Sequence, residues 1–257
     1  MISNFLFLFK LIRVLKRYNI LILIKKNIRF KILFIFFTNL ISIGVSYDKE
    51  HKDKSDGLRL ARALNELGPS FVKLGQLIST RPDIVGNTIA EDLSLLRDNL
   101  PPFPRKTAIA IIEEEFGENI DNIFYQFSEP VAAASIAQVH FAKIKSSNTE
   151  IDVAVKVLRP GIEKTINNEM KRLEWLTTFM ENFSEFQRLR PNSIIKKAKE
   201  VIKFELDLRY EAAAASELSE NTNMDRSFYV PKVYWDKVTQ KILTMEKIVG
   251  VPADKID

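Results

Sequence analysis

Over the first half of the chain, apolar residues recur at helical spacing. Leu58, Ala61, Leu64 and Leu67 share one face and predict a helix over Gly57–Leu67. Gly68-Pro69 breaks it, Ser70 is placed to cap the next helix, and Phe71, Leu74 and Ile78 form an apolar stripe along Phe71–Thr80. Arg81-Pro82-Asp83 ends that helix, and another follows around Asn87–Arg97. Pro101-Pro102-Phe103-Pro104 reads as a rigid joint, with Pro104 opening a helix through Glu115 and Gly117 stopping it. From Ile123 the period shortens to that of strands. Phe124–Phe127, Ile136–Ile144 and Ile151–Val157 read as three antiparallel strands, with Ser146-Ser147-Asn148-Thr149 as the turn between the last two and Arg159-Pro160-Gly161 closing the third. Two helical stretches, about Ile162–Phe183 and Ser193–Ser219, precede two more strands at Phe228–Trp235 and Lys241–Glu246. The pattern predicts an α+β fold: a five-stranded antiparallel sheet with helices inserted before its fourth strand, preceded by a helical extension.

The N-terminus departs from this pattern. Residues 1–45 hold eight basic residues and no acidic one, which leaves about −3 for the remainder against the total of +5. Phe5–Leu11 is interrupted by Lys10, Ile20–Ile24 is short, and Ile32–Val45 is mostly apolar for fewer residues than the roughly 18–20 needed to cross a bilayer. No small-residue cleavage site follows a clean apolar core. Amphipathic segments lying on an anionic cytoplasmic leaflet fit best; a terminal helix packed on the body and a tilted or re-entrant span are the alternatives. His51–Asp56 is a polar linker. With no cysteine, disulfides and thiolate chemistry are excluded, and His51 and His140 alone make no histidine metal cluster. A basic, hydrophobic end points to a membrane surface rather than nucleic acid, for which no binding motif is present.

The candidate chemistry lies in the strand half. Asp152–Val157 sets one lysine, Lys156, in a run of β-formers. Before it comes a small-residue loop, Val131-Ala132-Ala133-Ala134-Ser135, and after it an acidic helix with Glu205, Asp207 and Glu211. A loop that can cover phosphates, a strand lysine and then a helix glutamate is the order of a protein-kinase N-lobe. A desolvated ammonium needs a carboxylate, and the pair can grip phosphates. Taken one at a time, the same features read as a lysine at a strand edge, a tight strand connection and a solvated helix face. On an ideal helix Asp207 and Glu211, at i and i+4, share a face, whereas Glu205 points away; either the helix is irregular or Glu205 serves another group. Gly75, inside a short helix, costs about 1 kcal/mol against alanine and suggests a close backbone approach to a partner or ligand.

Together these motifs resemble the UbiB family of atypical kinase-like proteins of ubiquinone biosynthesis over roughly residues 57–257. The resemblance rests on Leu67–Gln76 followed by Ser79–Asp83, like the family's KxGQ segment, and on Ala132–His140, like its alanine-rich loop. It rests also on "VAVKVLRPG" at Val153–Gly161, "FELDLRYEAAAA" at Phe204–Ala215, "YVPKVYW", and "LTMEKIVGVP". It implies a kinase-like N-lobe over 123–257, a helical KxGQ extension over 57–117 and a membrane-associating segment over 1–45. It implies that Lys156 contacts the phosphates of ATP or ADP and pairs with Glu211, that Val131, Ala132, Ala133, Ala134, Ser135 and Val139 cover the nucleotide, and that Met245, Glu246 and Ile248 border the adenine. Lys73, Gly75 and Gln76 would form a regulatory group over the pocket beside Glu205 and Asp207.

Neither His-Arg-Asp nor Asp-Phe-Gly occurs in the sequence, so the expectation is a chain that stops before a catalytic C-lobe, inactive alone, with Mg2+ entering only with that lobe. The expected partners are nucleotide, an anionic membrane at the cytoplasmic face of the inner membrane, and a separately encoded C-lobe or quinone-biosynthesis proteins. The alternative is a non-catalytic, membrane-associated interaction module, the remnant of a truncated gene.

Overall fold

A computed structural model describes residues 2–21, 54–94, 96, 101–146, 149–188 and 190–251. Among the expectations above, the apolar stretch Ile32–Val45, residues 51–53 of the linker, the end of the helix at 97, the turn residues 147–148 and the chain beyond 251 lie outside these. The chain forms two units: Met1–Asp98 with Glu163–Glu200, and Asn99–Ile162 with Val201–Asp257.

The first unit is helical. It contains α1 (Ile2–Arg17), α2 (Asp56–Leu67), α3 (Pro69–Ser79), α4 (Pro82–Val85), α5 (Asn87–Ser94), α8 (Ile162–Met180, from Glu163), α9 (Ser184–Gln187) and most of α10 (Pro191–Glu205). Ser55 caps α2, its hydroxyl accepting from the Leu58 N–H. Gly68, at φ 130°, joins α2 to α3, and Pro69 rather than Ser70 opens α3. Proline at the first helical position has no N–H to waste and a preset φ. Ser70 is buried instead, and its N–H donates to the Glu169 carboxylate at 3.2 Å, an anion at a helix N-terminus. The core here joins Ala61, Leu93 and Leu96 to Leu60, Leu64, Ile78 and Ile89. A Cβ on Gly75 would collide with Leu96 and lie 2.7 Å from the Leu64 Cδ1. The close approach at Gly75 is to Leu64 of α2 and to Leu96, both within this unit.

The packed-helix alternative describes much of α1. Phe7 and Val14 are buried, Lys10 Nζ donates to the Leu67 carbonyl at 3.2 Å, and Arg17 pairs with Glu66 at 2.6 Å. No helix among the described residues is long and apolar enough to cross a membrane.

The second unit is an antiparallel sheet with strand order β1 (Pro130–Ala133), β2 (Ala137–Ser146), β3 (Thr149–Leu158), β4 (Ile242–Glu246). Alternation sends Val153, Val155 and Val157 to one face. There they pack with Ala142, Ile144 and Ile242 against Ala108, Ile111 and Ile112 of α6 (Arg105–Phe116) and with Phe124 and Phe127 beyond α7 (Ile120–Ile123). Helix α6 thus belongs to the sheet unit, whereas the UbiB resemblance implies a helical extension that runs to 117. The opposite face carries Lys156 and meets α11 (Leu208–Asn221) through β4.

Among the described residues the sheet has four strands where five were expected, because both outlying segments fail to extend. Phe124–Phe127 makes a single bridge, Tyr125 to Lys143, since Gln126 turns into the left-handed region at φ 54°. Phe228–Trp235 makes one bridge, Val233 to Met245; Pro231 lacks the N–H a ladder needs, and Phe228 and Tyr229 stay exposed. In exchange, Pro130–Ala133, expected as loop, is a strand with a bulge between Pro130 and Ala132. The single helix expected over Ser193–Ser219 is two, α10 and α11, broken at Leu206-Asp207.

Candidate nucleotide-binding site

Lys156 sits two residues before the end of β3, with Val139 of β2 on one side and Leu243 of β4 on the other. Period-two alternation places it opposite the buried valines. Val139, Phe141, Ala154, Leu243 and Met245 share its face by register; Leu243 is fully buried, the other four are half-buried, and the Lys247 ammonium lies over the Phe141 ring at 4.4 Å. Lys156 Nζ donates to both oxygens of Glu211, at 2.7 and 2.9 Å, across 55 residues of sequence. The side chains are 27 % and 45 % exposed, so the pair is held but still reachable from solvent.

The helix break sets this geometry and resolves the facing problem posed by three acids on one helix. Glu205 ends α10; Asp207 is the N-cap of α11, accepting from the Arg209 N–H at 3.1 Å; Glu211 lies in the first turn of α11. Asp207 is also gripped by the Arg209 guanidinium, at 2.7 and 2.9 Å, which holds its carboxyl below the ordinary carboxylate range. Asp207 and Glu211 therefore do not share a helical face as i and i+4.

Of the alanine-rich segment, Val131 and Ala132 are exposed, Ala133 and Ala134 are half-buried and Ser135 is buried. Its turn is closed by the Ala134 N–H donating to the Ala137 carbonyl at 2.8 Å. Arg159 secures the turn from beneath: Nε donates to the Ala134 carbonyl (2.9 Å), the backbone N–H to the Ile136 carbonyl (2.8 Å), and Nη1 to the Pro101 carbonyl (3.0 Å). The Ser135 hydroxyl is enclosed with no hydrogen-bond partner, so a phosphate contact there would require the turn to open. Gln138 pins the proline-rich joint: its Oε1 accepts from the Phe103 N–H at 2.9 Å and its Nε2 donates to the Phe103 carbonyl at 3.1 Å. The same Nε2 donates to His140 Nε2 (2.8 Å), whose Nδ1–H donates to the Ser128 carbonyl (2.8 Å). His140 is thus a neutral structural group stacked on Phe127 at 4.4 Å, and burial pushes its pKa down. At the far edge, Glu246 accepts from the Tyr229 hydroxyl at 2.6 Å, and Ile248 is exposed.

Lys73, Gly75 and Gln76 belong to the helical unit, and Glu205 and Asp207 to the sheet unit. Gln76 Nε2 donates to the Leu96 carbonyl at 3.4 Å. A cavity of about 270 Å³ in the helical unit, lined by Leu6, Phe7, Lys10, Phe71, Glu169 and Arg172 among others, contains none of the nucleotide candidates. Lys156 stands on an open shelf of the sheet unit.

Comparisons with known proteins bear on the fold and family. The model of the ABC1 atypical kinase-like domain matches residues 95–257. The chain belongs to the ABC1 atypical kinase-like family. Proteins described as "Probable protein kinase UbiB" are its relatives: that of Pseudomonas paraeruginosa (strain DSM 24068 / PA7) is 43% identical over 203 residues, covering 78% of this chain and 38% of the relative. That of Pseudomonas entomophila (strain L48) is 44% identical over 200 residues, 77% of this chain and 37% of the relative. The chain spans under two-fifths of the length of these relatives. The UbiB resemblance carried by the motifs is shown, and the four-stranded sheet with its helix-borne glutamate fits a kinase-like N-lobe.

Two positioning residues escaped the sequence reading. In sequence, Arg159 reads only as part of a strand-closing turn and Gln138 only as part of a motif. Arg159-Pro160-Gly161 directly after a strand, and a glutamine at an inward strand position, were the available signals.

Proposed function

We propose that the chain binds ATP or ADP on the Lys156 face of its sheet and serves, at a membrane, a UbiB-type role in ubiquinone biosynthesis. The observation that carries this reading is the two-oxygen grip of Glu211 on Lys156. It holds a partly exposed ammonium beside apolar side chains, where a phosphate can compete for it while a base lies on Val139 and Met245. Val131, Ala132, Ala133 and Ala134 cover the phosphates, while Ser135 contributes through its backbone as part of the Arg159-braced turn. Glu246 and Ile248 border the adenine. Alanine in place of glycine restricts the turn, because positive φ becomes costly, and favours one fixed cover over a mobile one.

The relatives' name, probable protein kinase, supports phosphoryl chemistry in the whole protein. In kinases, positioning and metal-assisted electrostatics supply nearly all the catalysis. Mg2+ therefore enters with carboxylates of a C-lobe, and residues 1–257 alone bind nucleotide weakly without turning it over. Lys73, Gly75 and Gln76, on α3, act as regulators, the role that the UbiB resemblance implies for them, which favours a small-molecule or lipid role over phosphorylation of a protein. The basic N-terminus holds the chain to the anionic cytoplasmic face of the inner membrane, where quinone-biosynthesis proteins are its partners.

Titration of residues 1–257 with a fluorescent ADP analogue tests the reading. Saturable binding, displaced by ATP and lost in Lys156→Met, is expected; equal binding by that variant, or none by the parent, favours the non-catalytic interaction module instead. Measurable ATP hydrolysis that depends on Lys156 would refute the need for a C-lobe.

A further inference from the structure

Among its described residues, the helical unit carries a contiguous apolar surface that stays exposed. On α1, Phe5, Phe9 and Arg13 fall four residues apart; on α8 and the turn after it, Lys171, Trp175, Phe179 and Phe183 do the same. The two stripes meet. Phe5 sits edge-on to Trp175 (ring centroids 6.4 Å), Trp175 stacks on Phe179 (6.5 Å, 13°), and Phe179 is edge-on to Phe183 (5.5 Å). Rings in contact are ordinarily core, yet Phe5 is 59 % exposed, Leu6 66 %, Phe179 54 % and Phe183 42 %. Helix α1 already buries Phe7 and Val14 against its own unit, so this is a second apolar face on the same helix. A contiguous exposed patch of this kind marks an interaction surface.

The charges around it choose the partner. Arg13 lies over the Phe9 ring at 5.4 Å, and Lys171 is exposed one turn before Trp175. Residues 1–21 contain no acid. The acids of the α8 flank are engaged elsewhere: Glu174 pairs with Lys199 at 2.8 Å, and Glu181 accepts from the Asn192 N–H at 3.0 Å. Aromatic rings rimmed by cations, with tryptophan among them, suit the boundary between acyl chains and anionic headgroups.

We propose that the ladder Phe5–Trp175–Phe179–Phe183 is a bilayer-docking surface selective for anionic lipid, so that α8 enters the interface alongside α1. The proposal rests on the membrane reading above but goes beyond it, since it moves the contact from the N-terminal segment onto a helix some 160 residues later in the chain.

Trp175 is a built-in reporter, because the chain has only one other tryptophan, Trp235, in the sheet unit. In a Trp235→Phe chain of residues 1–257, vesicles of phosphatidylcholine with phosphatidylglycerol should shift Trp175 emission to the blue. Brominated acyl chains should quench it, and pure phosphatidylcholine should do neither. Phe179→Ser with Phe183→Ser should weaken vesicle binding about tenfold or more, since each half-exposed ring contributes roughly a kcal/mol on burial. Because both rings already face water, circular dichroism should be unchanged. Lys171→Glu should reduce binding in the same direction through charge alone. Vesicle binding with Trp175 unquenched, or undiminished in the double variant, overturns the ladder while leaving the N-terminal membrane reading intact. No vesicle binding at all overturns both. A blue shift that rises with protein concentration in the absence of lipid assigns the surface to a second copy of the chain and overturns the lipid assignment.

Discussion

Removing the carboxylate from Glu211 should loosen the sheet unit by an amount that its geometry bounds. Glu211→Gln keeps the side-chain volume but deletes the charge that both Lys156 contacts use, at 2.7 and 2.9 Å. A fully buried pair that loses one partner costs about 3–5 kcal/mol, and a fully exposed one about 0.2–1 kcal/mol. With side chains 27 % and 45 % exposed, this pair falls nearer the second limit. Two-oxygen geometry moves it upward, so the coupling between Lys156→Met and Glu211→Gln should be about 1 kcal/mol. Trp235 provides the readout. Its indole N–H donates to the Ser216 hydroxyl on α11 at 3.2 Å, so its emission reports whether the helix bearing Glu211 is docked. A double-mutant cycle by urea unfolding, in a Trp175→Phe background, measures the coupling. A value above about 3 kcal/mol would mean a closed, desolvated pair unable to yield to a phosphate; one near zero would mean that the contact is incidental.

Gln138→Leu should destabilise the sheet unit by about 2–4 kcal/mol in the same assay, because it strands the buried Phe103 N–H and carbonyl and the His140 ring nitrogen; a loss under about 1 kcal/mol would contradict the network. Burial lowers the His140 pKa, so below about pH 6.5 the unfolded chain binds the proton more readily than the folded one. Stability should then fall as pH drops from about 7.5 to 5.5, with a shallower slope in His140→Gln; equal slopes would contradict this assignment. Gly75→Ala should lower helical-unit stability by up to about 2 kcal/mol, overpacking against Leu64 and Leu96 outweighing the gain in helix propensity; thermal unfolding at a raised midpoint would show those side chains yielding freely.

The helices of the first unit were legible because their apolar spacing and their breakers are local. The Lys156 strand and its partner glutamate were legible through the order of the motifs. What sequence missed depends on tertiary context. Gln126 turns left-handed to bury both Phe124 and Phe127, and Pro231 blunts an edge whose apolar residues otherwise read as a strand. The break at Leu206-Asp207 has no glycine or proline to announce it; Asp207 becomes a cap only because Arg209 and the Arg209 N–H hold it. In sequence Gly75 reads as an approach to a partner or ligand, but the atoms it admits belong to Leu64 and Leu96, one before it in sequence and one after, which spacing alone does not reveal.

Photolabelling of residues 1–257 with 8-azido-ATP tests the central claim most directly. The account predicts a labelled peptide containing Ile242–Ile248 or Val139, protected by excess ADP and absent in Lys156→Met. Label confined to the helical unit, or undiminished by that substitution, would contradict a nucleotide site on the Lys156 face.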